Sequence, residues 1–192
     1  MGLRTVLFGR AKPVPPDLDA LFALPSAAVT LRAALDFAPA GAGSVAFRAP
    51  EGRAFAEVEQ DVRALLDADG GPKVESMRDD FGYTWLVVRG DPEDVAGLVT
   101  DLHAINSTLK DSGFGPTLLC SLVSFRDASG RQLAIVYLFK QGTFYPFAPQ
   151  GDGKRDNVLE LQVRDSVGSD LRWEPDLARW FAVWGAPGLG DS

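Results

Sequence analysis

A chain of 192 residues that is 46% hydrophobic and 23% charged has the makeup of an ordinary globular protein, which excludes the disordered class. It is long enough to bury roughly 70% of its unfolded surface, and its single cysteine, Cys120, allows no intramolecular disulfide, as fits a reducing compartment. The net charge of −7 is uneven: Arg4, Arg10, Lys12, Arg32 and Arg48 stand against Asp17, Asp19 and Asp36 in residues 1–50, a local +2, so the remainder carries −9 and offers phosphates no basic cluster, which excludes nucleic acid as a partner.

No apolar run approaches the ~20 residues that a membrane span requires, and no signal peptide is visible. The Met-Gly start has Val6 where myristoylation prefers Ser or Thr. Cytoplasmic placement is the expectation.

Residues 1–16 read as a lead-in segment: Leu3, Val6 and Leu7 share one side of a helical turn that Pro13, Pro15 and Pro16 stop. Residues 17–24 suit a short helix ending at Pro25, residues 27–35 stay open between strand and helix, and residues 39–43 read as a loop. A short strand follows at 44–48. Over 52–68, Phe55, Val58, Val62, Leu65 and Leu66 recur at helical spacing with charged residues between them, which predicts an amphipathic helix closed by the Gly-Gly-Pro at 70–72. Residues 73–78 and 83–89 read as two strands joined by a turn at 80–82.

Asp91 is placed to cap the next helix, with Pro92, Glu93 and Asp94 in its first turn. Its apolar stripe is Val95, Leu98, Val99, Leu102, Ile105 and Leu109, and Gly113 ends it. Strands at 118–126 and 133–139 flank a turn at 127–130. Leu159, Leu161 and Val163 alternate with Glu160, Gln162 and Arg164, which predicts a half-exposed edge strand at 158–164. A last helix from Glu174 and Pro175 is anchored by Leu177, Trp180, Phe181 and Trp184.

This order predicts an α+β fold: a mainly antiparallel sheet with helices packed against it. The six elements from residue 44 suit a ferredoxin-like arrangement. Residues 1–16 are then a lead-in, 17–187 one α+β domain and 188–192 a tail. Two strands are apolar on both sides: Tyr83, Trp85 and Val87 oppose Leu86 and Val88, and Leu133, Ile135, Tyr137 and Phe139 oppose Ala134, Val136 and Leu138. Such strands must be covered on both faces. Helices supply one layer. The other falls to the N-terminal segment, the Trp-rich final helix or a second subunit in a homodimer.

Reactive side chains are few. His103, the only histidine, lies at the margin of a helical stripe with no Cys or His at ligand spacing, and Cys120 has no basic neighbour in sequence. Neither the acidic clusters nor the Gly113-Phe-Gly115 and Gly151-Asp-Gly153 turns match a catalytic or phosphate-binding pattern. No catalytic residue, metal or cofactor is expected. Asn106 falls inside an apolar stripe, where its amide either ties the helix to a neighbouring backbone or faces a groove. Phe144, Tyr145 and Phe147, flanked by Lys140, Lys154 and Arg155, read either as an ordinary hairpin excursion or as a contact patch for an acidic or amphipathic helical partner. Residues 1–10 have too little apolar area for more than weak contact with a membrane surface.

Four stretches carry a family resemblance: Lys12-Pro13 with residues 18–28, Gly82-Tyr-Thr-Trp-Leu-Val-Val88, Asp101-Leu-His-Ala-Ile-Asn106, and residues 142–149 through Arg155-Asp-Asn157. Over nearly the whole chain these resemble PspAB, the PspA-associated protein of actinobacteria and some archaea. The resemblance implies a cytoplasmic accessory of the phage-shock, envelope-stress system, peripheral at most to the inner face of the membrane, associated with the membrane-remodelling coiled-coil protein PspA. Residues 51–140 are also similar to YbjN-type and type III secretion chaperone-like domains, which bind proteins.

Two functional readings follow. One is a non-enzymatic adaptor that binds a PspA-like partner through Lys140, Phe144, Tyr145, Phe147, Lys154, Arg155 and Asn106. The other is a small ligand-binding domain or enzyme with a pocket between helix and sheet.

Overall fold

The computed structural model describes residues 16–48, 53–68 and 73–189. The helical turn expected in residues 1–10 and the glycines expected to close the helix at 70–71 lie outside the described residues, as do the side chains of Phe55, Val58 and Leu66.

A 3-10 turn over Leu18–Ala23 runs directly into α1 (Leu24–Leu35). Pro25 opens this helix instead of stopping the turn before it, because a proline in the first helical turn forfeits no hydrogen bond. The joined segment, Leu18–Leu35, has a mean hydropathy of 1.4 and is long and apolar enough, by length and composition, to cross a membrane. That corrects the expectation that no run approaches such a length; dividing the segment at Pro25 concealed it. Within the fold its Leu18, Leu21, Leu24, Ala27, Ala28 and Leu31 are packed in the core.

The remaining elements are β1 (Ala38–Phe47), α2 (Arg53–Ala68), β2 (Val74–Arg78), β3 (Thr84–Arg89), α3 (Val95–Leu109), β4 (Leu118–Arg126), β5 (Gln132–Leu138), β6 (Thr143–Phe147), a small hairpin of β7 (Pro149–Gly151) and β8 (Lys154–Arg155), and α4 (Asn157–Val167). Strands β1 to β6 form one sheet in the order β2-β3-β1-β4-β5-β6, antiparallel at every pairing. The fold is α+β. Helices α2 and α3 each connect strands separated by one neighbour, so β1-α2-β2-β3-α3-β4 has the split, ferredoxin-like order, extended at one edge by β5 and β6.

Four local expectations are corrected. Residues 39–43 are not a loop but the start of β1, where the register against β4 shifts between Pro39 and Gly43; a bulge accommodates the Pro and Gly that argue against a regular strand. Helix α3 is capped by Asp94, whose Oδ1 accepts from Gly97 N at 2.8 Å, while Asp91 closes the preceding turn through Glu93 N. Residues 158–164 are not an edge strand but lie in α4, capped by Asp156 through Leu159 N at 2.9 Å. Its buried Leu159, Val163 and Val167 sit at i, i+4 and i+8, a spacing that a short i, i+2 alternation mimics over seven residues. The final helix does not form: beyond Glu174 the chain makes one 3-10 turn, Leu177–Arg179, in an otherwise irregular strap.

The sheet separates two cores. Val45, Phe47, Leu86, Val88, Val123, Ile135 and Tyr137 face the helices. Ala46, Trp85, Val87, Cys120, Leu122, Val136, Tyr145 and Phe147 face the other way and meet Trp180, Ala186 and Leu189 of the strap. The required second cover therefore comes from the Trp-rich segment of the same chain, laid down as irregular backbone. Its end fits closely: at Gly188, in the left-handed region at φ +91°, a Cβ would come within 3.1 Å of Ala42 Cβ.

On the helix side α3 packs closely over Gly43, where a Cβ would lie 2.9 Å from a Leu102 methyl and 3.2 Å from the Leu122 carbonyl oxygen. Gly43→Ala should therefore lift α3 off β1 and cost about 1–3 kcal/mol. Urea unfolding measures it, and an unchanged midpoint would contradict this packing.

Candidate functional site

The strap is fastened to the outer edge of β6 and to α4. Phe144 N donates to the Arg172 carbonyl at 2.8 Å and Glu174 N to the Phe144 carbonyl at 2.7 Å, so residues 172–174 run beside the last strand. This explains how Pro146 is tolerated in β6: it lies on the sheet's final strand, where its missing N–H breaks no ladder bond. The buried Glu174 accepts from the Thr143 hydroxyl at 2.7 Å, and its carbonyl accepts from Trp180 Nε1 at 3.0 Å. Trp180 stacks on Tyr145 at 6.2 Å between centroids, and Trp184 meets Phe147 edge-on at 4.9 Å.

Arg155 joins these parts. Its Nε donates to both oxygens of the buried Glu160 on α4 at 2.9 and 3.0 Å, its Nη1 donates to the Trp180 carbonyl at 2.6 Å, and its guanidinium lies over the Phe147 ring. Ala148 N adds a second donor to Glu160 at 2.9 Å. Burial pushes the Glu160 carboxyl up, against the opposing pull of Arg155 and of the Ala148 N–H.

The strap does not cover the whole face. Between its residues 181–184, the β2–β3 turn and the β5–β6 turn lies a groove of about 550 Å³, floored by Ala46, Trp85, Cys120, Leu138 and Tyr145. Its size falls within the range of ordinary ligand sites. Phe81 and Phe181 stand on its walls with 67% and 58% of their surface exposed. Exposed aromatic rings at the mouth of an apolar groove are unlike single scattered surface hydrophobes and mark a contact surface. Asp79 fixes one wall: Oδ1 accepts from Phe81 N and Tyr83 N at 3.0 and 2.8 Å, and Oδ2 accepts from Trp85 Nε1 at 2.9 Å. Arg48 lies over the Tyr83 ring at 5.4 Å, and Lys140 stands exposed at the opposite rim. The one thiol in the floor is inert, because burial pushes Cys120 up to about 12.

Of the residues singled out in the sequence, Lys140 reaches this groove and Tyr145 forms part of its floor. The aromatic patch is corrected. Phe144 lies in the helix-side core, Tyr145 and Phe147 lie in the strap-side core, and none is more than 1% exposed. Strand alternation sends neighbouring rings to opposite faces, so they cannot form one surface. Arg155 is occupied as described. Lys154 is exposed on β8, away from the groove lining. Asn106 is fully buried and donates to the Leu102 carbonyl and to Ser121 Oγ, each at 2.8 Å, bracketing α3 to β4. His103 Nε2 sits 3.2 Å from Asp19 Oδ1 and against the Phe22 ring, outside the groove lining. Among the described residues, no group of three or more His, Cys, Asp and Glu could hold a metal ion.

Sequence reasoning missed Phe81 and Phe181. A phenylalanine within the turn Asp79-Asp80-Phe81-Gly82 is the signal that could have found the first. The second was absorbed by the helix expected there.

The sequence model of a protein family, PspAB (PspA associated protein B), matches residues 1–188. The chain belongs to the PspAB family. No curated protein and no solved structure matches it. The match spans the helix-side core, the groove and the strap as far as Gly188, so this PspAB member carries all of these within the matched stretch except Leu189.

Two outcomes follow for this PspAB chain. Arg155→Met leaves Glu160 buried without its cation and should cost about 3 kcal/mol in urea unfolding, with part recovered in Arg155→Met/Glu160→Gln; no loss would contradict the fastening role. Near pH 9, where an ordinary thiol is half ionised, native Cys120 stays protonated and should resist iodoacetamide while the urea-unfolded chain reacts. Rapid native labelling would contradict the buried floor.

Proposed function

We propose that the chain is a non-enzymatic accessory of the phage-shock envelope-stress response, acting in the cytoplasm by binding a PspA-like partner. The observation that carries this reading is the apolar groove with Phe81 and Phe181 exposed at its mouth; membership of a family named for association with PspA supports it. The groove suits the apolar stripe of an amphipathic helix, the kind of segment from which a coiled coil is built. Lys140 and Arg48 at its borders favour acidic residues flanking that stripe.

Magnitudes limit the affinity. Seating three or four aliphatic side chains gains roughly 1.5–3 kcal/mol each, against an association cost of about 4–15 kcal/mol. Binding through this groove alone is then about micromolar or weaker, suited to a reversible accessory.

Phe81→Ser/Phe181→Ser should weaken capture of a purified PspA-like coiled-coil fragment about 30-fold, the effect of losing an aromatic anchor worth ~2 kcal/mol. Its melting temperature should stay near wild type, since both rings are mostly exposed. Calorimetry reads the affinity, and equal binding by this variant would remove the groove from the interface.

A further inference from the structure

We infer that the outer edge of β2 is a pairing edge for a second copy of this chain, the two β2 strands running antiparallel about a two-fold axis at Ser76. The inference stands apart from the partner reading, since it needs neither the groove nor a PspA-like protein.

The chain treats the two edges of its sheet differently. Residues 172–174 of the strap run beside β6. At the other end of the strand order, β2 pairs with β3 alone among the described residues. Glu75, Ser76, Met77 and Arg78 are all exposed, Met77 with 46% of its surface. An open strand edge offers its N–H and C=O groups as a template for another strand.

The ladder decides which groups point outward. Asp79 N donates to the Tyr83 carbonyl at 3.0 Å. Met77 opposite Trp85 and Glu75 opposite Val87 repeat that inward bonding at every second residue. On the far side of β3, Gly90 N donates to the Gly41 carbonyl at 2.9 Å, which gives the same parity. Val74, Ser76 and Arg78 therefore aim their backbone groups away from β3. In an antiparallel pair centred on Ser76, Val74 meets Arg78 of the second copy, Ser76 meets Ser76, and Arg78 meets Val74. Every outward group of the strand finds a partner.

Charge selects the same register. Alternation puts Lys73, Glu75, Met77 and Asp79 on the strap side. Centred on Ser76, Lys73 stands opposite Asp79 of the second copy, and Glu75 opposite Met77. A centre at Glu75 would set that carboxylate against itself, and a centre at Met77 would set Glu75 against Asp79. Like charges directly opposite are destabilising, and either shift leaves outward groups unpaired. A closed two-fold contact follows. Its axis stands perpendicular to the sheet, so both grooves open on the same face.

An edge contact of this size belongs to the weak class, so sedimentation equilibrium is read from ~10 µM to ~1 mM protein. The mass should rise toward twice the monomer. Ser76→Pro removes an N–H that β3 does not use, so it should keep the urea midpoint but raise the dimer dissociation constant about tenfold or more, both bonds at the axis being lost. A cross-link reads the register even if that variant misfolds. In a Cys120→Ala chain, Ser76→Cys faces its copy at about 5.5 Å between Cα atoms, within disulfide reach, and should cross-link on mild oxidation. Arg78→Cys lies ~14 Å from its copy and should not. A monomer at every concentration, or equal cross-linking of the two cysteine variants, would overturn the inference. So would a dimer lost in Phe81→Ser/Phe181→Ser and kept in Ser76→Pro, which would assign the contact to the groove.

Discussion

A six-stranded sheet whose central strands carry apolar side chains on both faces has no stable form with one face in water, and the rest of the molecule follows from how the second face is covered. Here the cover is an irregular strap, which lacks the internal hydrogen bonds of a helix and has to be fastened from outside. The backbone bonds between Phe144 and residues 172 and 174, the Glu174 carboxylate on Thr143, and Arg155 between Glu160 and the Trp180 carbonyl supply that fastening. Arg155 is the point where all three layers meet: α4 from the helix side, Phe147 from the sheet and Trp180 from the strap.

The groove is a consequence of the same solution. The strap closes over Ala42 of β1 at Gly188, and beside its residues 181–184 a groove floored by Trp85, Cys120 and Tyr145 and walled by the β2–β3 turn is left open. Trp85 is polar only at its indole N–H, which Asp79 satisfies, so the floor presents mainly carbon to whatever enters. An inert thiol, a satisfied carboxylate and exposed aromatic rings suit binding through shape and apolar contact. That chemistry is the physical basis for reading the protein as one that holds another segment of polypeptide.

The sequence was most legible where one period dominated over many residues. The α3 stripe from Val95 to Leu109 and the doubly apolar β5 were readable because burial on one helical face, or on both strand faces, leaves a long regular pattern. It was least legible where two patterns coincide. Leu159, Leu161 and Val163 fit a strand by alternation, while Leu159 and Val163 fit a helix by their four-residue spacing; only Val167 and the Asp156 cap separate the two. Pro25 and Pro39 look like breaks in the sequence, yet one opens a helix and the other sits at a bulge, because a proline's effect depends on whether its missing N–H is needed. In the sequence Arg155 looks like a cation flanking a contact patch, since nothing local shows that Glu160 and the Trp180 carbonyl converge on it.

Taken alone, the residues determined the α+β class, the antiparallel sheet, the need for two covering layers and the resemblance to PspAB, because composition, periodicity and recognisable stretches are properties of the chain itself. Which segment covers the second face, that it does so without forming a helix, and that Phe81 and Phe181 line one open groove were decided only in three dimensions. These arrangements bring together residues distant in sequence, and hydrophobic burial, being non-directional, does not record in sequence which distant partner it will find.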